Sequence, residues 1–242
     1  VSAYLSTKSL AEVDRVKRDI IRLYDKDFIR IDPTGKASAM FKAIPSELTR
    51  NSSRYQVASV TENGRANRLL ETITNMGESM VVNMAYHAND PGPGMAFHKD
   101  TSTFKMFVGD TGLFVTLAFW DKEFTDNVIY QKLLTDKLSK DLGYVYENVV
   151  AQMLVASGNE LYYHTFPTES GKHRYEVDFL IPDGDKVVPI EVKSSGYKAH
   201  VSLDAFCTKF SSRVSRPYLI YTKDLRKEGN LLYLPVYMTM FL

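Results

Sequence analysis

Asp183-Gly184 lies between two runs of alternating side chains, and no other feature of the chain limits its fold as tightly. An Asp-Gly pair flanked by β-patterned arms is a strong short-range signal for a hairpin. The first arm puts Tyr175, Val177, Phe179 and Ile181 on one face, with Glu176, Asp178 and Leu180 on the other. The second puts Val188, Ile190 and Val192 inward, with Pro189, Glu191 and Lys193 opposite. Closing the hairpin brings Asp178 within about one residue of Glu191 across the ladder, and Lys193 projects from the same face as Glu191.

The surrounding pattern is that of an α/β domain. Residues 145–156 read as a helix with Val149, Val150, Met153 and Leu154 clustered, ended by Gly158-Asn159. Strands follow at 160–166, 174–181 and 186–193, then a helix at 202–210 and strands at 217–222 and 231–236. The order is α-β-β-β-α-β-β, which predicts a mixed sheet. Upstream, residues 9–24 have helical periodicity with Ser9 and Glu12 at capping-box spacing. Asp32-Pro33-Thr34-Gly35 is a breaker. A weaker helical segment over 36–51 is expected to break at Pro45, where Ser46 could cap a second short helix. A helix over 65–76 is expected to end on a left-handed Gly77. Runs at 79–86 and 104–108 are β-like, joined by a Pro/Gly-rich loop, and Asp110-Thr111-Gly112 opens a short turn or helix near 117.

Helices followed by a hairpin with a long tip are the order of a winged helix-turn-helix. Arg65 and Arg68 would stand on its recognition helix, opposed by Glu71 and Glu78, and Lys99 and Lys105 on its wing. Base readout needs several polar side chains on one helix face, so the balance favours a module that packs against a neighbour.

Two carboxylates and an amine at one hairpin suit divalent-metal phosphodiester chemistry. A hard cation such as Mg²⁺ takes two carboxylates and a carbonyl oxygen, with waters completing its shell. The cation polarises a phosphoryl oxygen and acidifies a water, and a nearby ammonium balances charge developing at phosphorus. Glu147, in the first turns of the preceding helix, is a further carboxylate for the metal shell. Glu176 is a substitute ligand, although an exposed ion-pair residue is its ordinary reading. Any Glu-x-Lys on a strand is ordinarily a solvated face; here the combination carries the inference. Lys172, His173 and Arg174, and also Lys198, Lys209, Arg213 and Arg216, are local basic groups for a phosphate backbone or simply charged surface. His164 and the Tyr162-Tyr163 pair read as structural, and Cys207, beside Phe206 and Phe210, as buried and inert.

Composition closes other routes. Thirty Lys plus Arg against twenty-nine Asp plus Glu give +1, so an anion-binding surface must be a local patch. A single cysteine excludes an intrachain disulfide and any multi-cysteine zinc site, as fits a reducing cytoplasm. No apolar run approaches a membrane span, and no signal pattern opens the chain. There is no Walker A loop, because neither Gly35-Lys36 nor Gly171-Lys172 has the required glycine five residues earlier.

Asp178, twelve residues, then Glu191-Val192-Lys193, with Glu147 upstream in α-β-β-β-α-β order, resembles the PD-(D/E)XK nuclease superfamily, the restriction-endonuclease-like fold. Ile21-Arg22-Leu23-Tyr24-Asp25-Lys26-Asp27-Phe28, Val108-Gly109-Asp110-Thr111-Gly112-Leu113, Glu147-Asn148 and the two hairpin strings further resemble the C-terminal region, of unknown function, of a prokaryotic family of AAA-type P-loop ATPases. The resemblance implies a connecting helix over 1–34 (an ATPase lid or linker remnant), a winged-helix-like module over 35–109 and a nuclease-like domain over 110–242. It implies that Asp178 and Glu191 bind Mg²⁺ with help from the Val192 carbonyl, that Lys193 is the catalytic lysine, and that Glu147 is the supporting helix carboxylate. Val177 stands where the name-giving proline would be. The expected partners are DNA and an upstream ATPase domain of the same protein, which alone would handle ATP; Val1, opening in a helical region, fits such a fragment. The alternative is a catalytically silent nuclease fold used for DNA docking or protein interaction and regulation of the ATPase.

Overall fold

A computed structural model describes residues 2–50, 53–59, 69–121 and 143–242. Seven α-helices are described: α1 (Ser2–Thr7), α2 (Leu10–Ile31), α3 (Lys36–Thr49), α4 (Leu70–Glu78), α5 (Thr111–Ala118), α6 (Gly143–Ala156) and α7 (Val201–Lys209). The strands are β1 (Val82–Ala88), β2 (Lys99–Val108), β3 (Leu161–Pro167), β4 (Arg174–Asp183), β5 (Lys186–Lys193), β6 (Tyr218–Tyr221), β7 (Arg226–Glu228) and β8 (Leu231–Pro235). They form one mixed eight-stranded sheet in the order β2-β1-β3-β4-β5-β6-β8-β7.

That order carries one consequence the chain pattern did not announce. The β1–β2 hairpin, expected as a wing, is the edge of the same sheet, because β1 pairs in parallel with β3 through Ala85↔Leu161, Tyr86↔Tyr162 and His87↔Tyr163. The boundary drawn at 109/110 therefore runs through a continuous ladder. The would-be recognition residues Arg65 and Arg68 lie outside the described residues.

Local chemistry explains most element ends. The Ser9 hydroxyl accepts from the Glu12 N–H at the start of α2, and Asp110 accepts from the Leu113 N–H at the start of α5, each satisfying an otherwise unpaired first-turn donor. Asp32 accepts from the Thr34 and Ala37 amides, and Gly35 takes φ +75°, so the breaker turns straight into α3. Two expectations are corrected. Helix α3 does not break at Pro45 but runs through it. Met40, Phe41, Ile44 and Pro45 are all buried there, and that packing outweighs the one backbone bond proline removes. Helix α4 likewise continues past Gly77, and Met80 adopts the left-handed conformation instead, with φ +60°. Gly77 answers to packing: a Cβ there would meet Met84 Cγ at 3.1 Å.

The sheet is covered on both faces. Val150, Ala151 and Leu154 of α6 pack with Phe107, Tyr163, Phe179, Ile190 and Val192 on one side. Phe206 of α7 packs with Val177, Leu180 and Val187 on the other. Helices α2–α5 and the hairpin share a third core around Phe28, Met40, Phe41, Phe104 and Phe114. Among the described residues, no helix is long and apolar enough to cross a membrane.

His164 yields a measurable expectation from this packing. It is buried, its Nδ1 lies 2.7 Å from the Ala88 carbonyl, and its ring sits among Phe166, Phe206 and Phe210. Burial, joined by the charges of Lys209 and Arg174, lowers its pKa to about 4 despite the Ala88 bond. The unfolded chain therefore binds the extra proton first, and stability falls as the pH drops from about 6.5 toward 4. Urea unfolding at pH 7 and pH 4.5 should show a loss of roughly 2–3 kcal/mol from this residue. His164→Phe should remove that part of the loss; an unchanged pH dependence would refute the assignment.

Candidate functional site

The β4–β5 hairpin forms as its pattern demands, with Asp183↔Lys186 closing a Gly184-Asp185 turn and Gly184 at φ +60°. The regular ladder runs from that turn to Phe179↔Ile190 and stops. One step further, Asp178 would face Glu191, and there the two strands separate. The Asp178 carboxylate occupies the gap: its Oδ2 accepts the Val192 N–H at 2.7 Å, standing in for the missing backbone acceptor.

A bulge on the other side of β4 aims that carboxylate. The β3–β4 register passes from Tyr162↔Leu180 to His164↔Val177, so Tyr163 stands against both Asp178 and Phe179. The extra residue resets the alternation. Val177 accordingly packs on the α7 side while Phe179 packs on the α6 side, although the plain period of two put them on one face.

Glu191 is buried at 5% exposure. Its Oε1 pairs with Lys193 Nζ at 2.7 Å, while its Oε2 finds no hydrogen-bond partner among the described residues. Glu147, from the second turn of α6, lines a cleft of about 580 Å³ together with Val192, Lys193, Ser194 and, from the end of α3, Leu48 and Thr49. Asp178, Glu191, Lys193 and Glu147 are thus brought into one electrostatic neighbourhood. Burial, then the charge of Asp178, raises Glu147 to about 7 and Glu191 to about 8. Burial raises Asp178 as well, against the pull of Lys105. Lys193 is held protonated by Glu191, which outweighs its own burial.

Two residues enter that the sequence reading placed elsewhere. Lys105, assigned to the surface of a wing, is 7% exposed and ion-pairs with Glu176. Its ammonium also lies 5.2 Å from the ring centre of Tyr163, whose hydroxyl is buried without a hydrogen-bond partner among the described residues. Glu176, read from the sequence as a substitute ligand or an ion-pair residue, is here ion-paired with Lys105. The signal for Lys105 was a lone lysine among apolar strand residues, Phe104 and Met106-Phe107-Val108, where a solvated lysine does not belong.

Of the remaining candidates, Arg174 donates to the Thr165 carbonyl and hydroxyl. Arg213 is ion-paired with Asp90, and Lys209 lies over the Phe166 ring. Burial raises the Cys207 thiol to about 11, well away from a reactive thiolate.

The donor types gathered here, carboxylate oxygens, are those a hard cation takes. No three His, Cys, Asp or Glu side chains among the described residues converge tightly enough to hold a metal by themselves. The Glu191 Oε2 is a buried oxygen without a hydrogen-bond partner among the described residues, the kind of atom that calls for an explanation. Glu147, Glu176, Asp178 and Glu191 carry two more charges, when ionised, than Lys105 and Lys193 return. Burial first, and this excess of negative charge second, raise Glu147, Asp178 and Glu191.

Residues 142–238 match the model of a family described as a domain of unknown function, DUF4143. No curated protein matches the chain, and no solved structure matches it. The matched segment holds Glu147, Glu176, Asp178, Glu191 and Lys193, and leaves out Lys105 and the whole β1–β2 hairpin.

Proposed function

We propose that this protein is a Mg²⁺-dependent nuclease of the restriction-endonuclease-like type, acting on DNA phosphodiesters at the mouth of the β4–β5 hairpin. The observation that carries the reading is the buried, unpartnered Oε2 of Glu191 beside Asp178, where the ladder opens. Asp178 and Glu191 would hold the cation. Strand geometry that turns the Val192 N–H toward β4 turns its carbonyl the same way, which supports that oxygen as a third ligand. When bound, the cation supplies Lewis-acid polarisation of the phosphoryl group and a lower pKa for an attacking water. Lys193 Nζ, held by Glu191, offers donors that orient a water and balance charge on the phosphorane-like centre. Glu147 faces the same cleft and, raised toward neutrality, is suited to carry a proton. The placement of an ATPase domain upstream rests on the sequence resemblance.

A second reading has its own support: both expected ligands already have protein contacts, Asp178 with the Val192 amide and Glu191 with Lys193. A nuclease fold of this kind can serve as a docking or regulatory module without turnover. Titration of Mn²⁺ into the protein separates the two. Saturable binding below millimolar, lost in Asp178→Asn, is the expected result; no binding at millimolar metal would leave the docking module.

A further inference from the structure

Lys105 does something the rest of the site does not explain. It reaches the acid cluster from β2, three strands away from β4, and is 71 residues distant from Glu176 in the chain. It stands opposite Ala85 on β1, a small side chain, and its ammonium lies 5.2 Å from the ring centre of Tyr163. A buried ammonium is costly unless its charge is met. Here Glu176 meets it directly, and Glu147 and Asp178 act at longer range; together they overcome burial and hold the lysine protonated.

Within the segment 142–238 the site has four carboxylates, Glu147, Glu176, Asp178 and Glu191, and one ammonium, Lys193. The second cation comes from outside that segment. We propose that Lys105 is a positioning residue of the candidate site: it withholds Glu176 from the metal and offsets part of the acid charge, so that the β1–β2 hairpin sets how tightly the nuclease-like half binds a divalent cation. The inference rests on the cation reading given above and assigns a determinant that reading does not contain.

The sign of the effect distinguishes this role from mere support of the fold. Removing Lys105 frees a carboxylate and deletes a positive charge beside the metal, so affinity should increase; damage to a scaffold would decrease it. In the full 242-residue chain, Mn²⁺ alone, followed by calorimetric titration, is expected to bind Lys105→Met about tenfold more tightly than wild type. Lys105→Arg keeps the charge and should stay within about twofold. Glu176→Gln leaves Lys105 without its counter-ion and should weaken binding about tenfold. The double variant Lys105→Met/Glu176→Gln should return to within about twofold of wild type. If Lys105→Met does not fold, Glu176→Gln and the double variant still carry the test. Wild-type binding with unchanged affinity in Glu176→Gln, or weakened affinity in a folded Lys105→Met, would overturn the inference alone. Absence of wild-type binding at millimolar Mn²⁺ would overturn the cation reading beneath it.

Discussion

Replacing Glu191 with Gln is expected to remove DNA cleavage and, in the same protein, to raise the melting temperature measured in EDTA. Both follow from one buried carboxylate. In the nuclease reading its charge is a metal ligand, and losing it should lower plasmid cleavage in Mg²⁺ by roughly a thousandfold, equivalent to several kcal/mol of transition-state stabilisation. Without a cation the same charge is a burden: burial and Asp178 push Glu191 to about 8. An acid raised in the folded state contributes fully below its unfolded value, near 4.5, and loses that contribution as the pH rises through 8. At pH 8 in EDTA, Glu191→Gln should therefore be more stable than wild type by about 2 kcal/mol, or about 4–8 °C in a chain of this size. Added Mg²⁺ should then raise the melting temperature of wild type and leave the variant unmoved. A variant that melts below wild type in EDTA would mean that Glu191 is paired in a way the geometry does not show. Equal plasmid products from both proteins would remove the site assignment.

The largest loss of stability is expected at Asn148, next to Glu147 on α6. Its side chain is fully buried and works as a bidentate clamp on the end of β2. The amide oxygen accepts from the Val108 N–H at 2.9 Å, and the amide nitrogen donates to the Val108 carbonyl and the Thr111 hydroxyl, each at 3.0 Å. Asn148→Ala leaves the Val108 N–H and carbonyl without their partner in the interior, while Thr111 keeps Gln152, at a cost of about 3–4 kcal/mol. Asn148→Asp preserves the shape but turns a carboxylate oxygen on the Val108 carbonyl, and should cost at least about as much. Thermal or urea unfolding reads both variants. A change below about 1 kcal/mol in the alanine variant would show that the clamp does not hold α6 to the hairpin.

The hairpin and its register were legible because both are local. Asp-Gly sets the turn, a period of two sets the faces, and a one-residue slip would exchange the faces that Glu191 and Ile190 occupy. The meeting of Asp178 with Glu191 follows from those two facts. The bulge opposite Tyr163 was not legible, since it depends on how β3 lies against β4 and no turn residue announces it. The ion pair of Lys105 with Glu176 was hidden by distance: it needs the parallel β1–β3 pairing, a long-range contact with no signal of its own. Pro45 and Gly77 misled for one shared reason, that core packing overrides the local preference of a single residue. The three-residue β7 was missed because Arg226-Lys227-Glu228 is exposed and has no apolar face to show.

The parallel seam between β1 and β3 also bears on any attempt to use the C-terminal half in isolation. A chain beginning after residue 109 would lose the partner of Leu161-Tyr162-Tyr163, the first half of a buried, uncharged and β-prone strand. Its backbone amides and carbonyls would become a raw edge able to recruit the same edge of another molecule, the situation natural sheets avoid with charge, proline or cover. The hairpin is that cover, and removing it trades a folded enzyme candidate for a self-adhesive one.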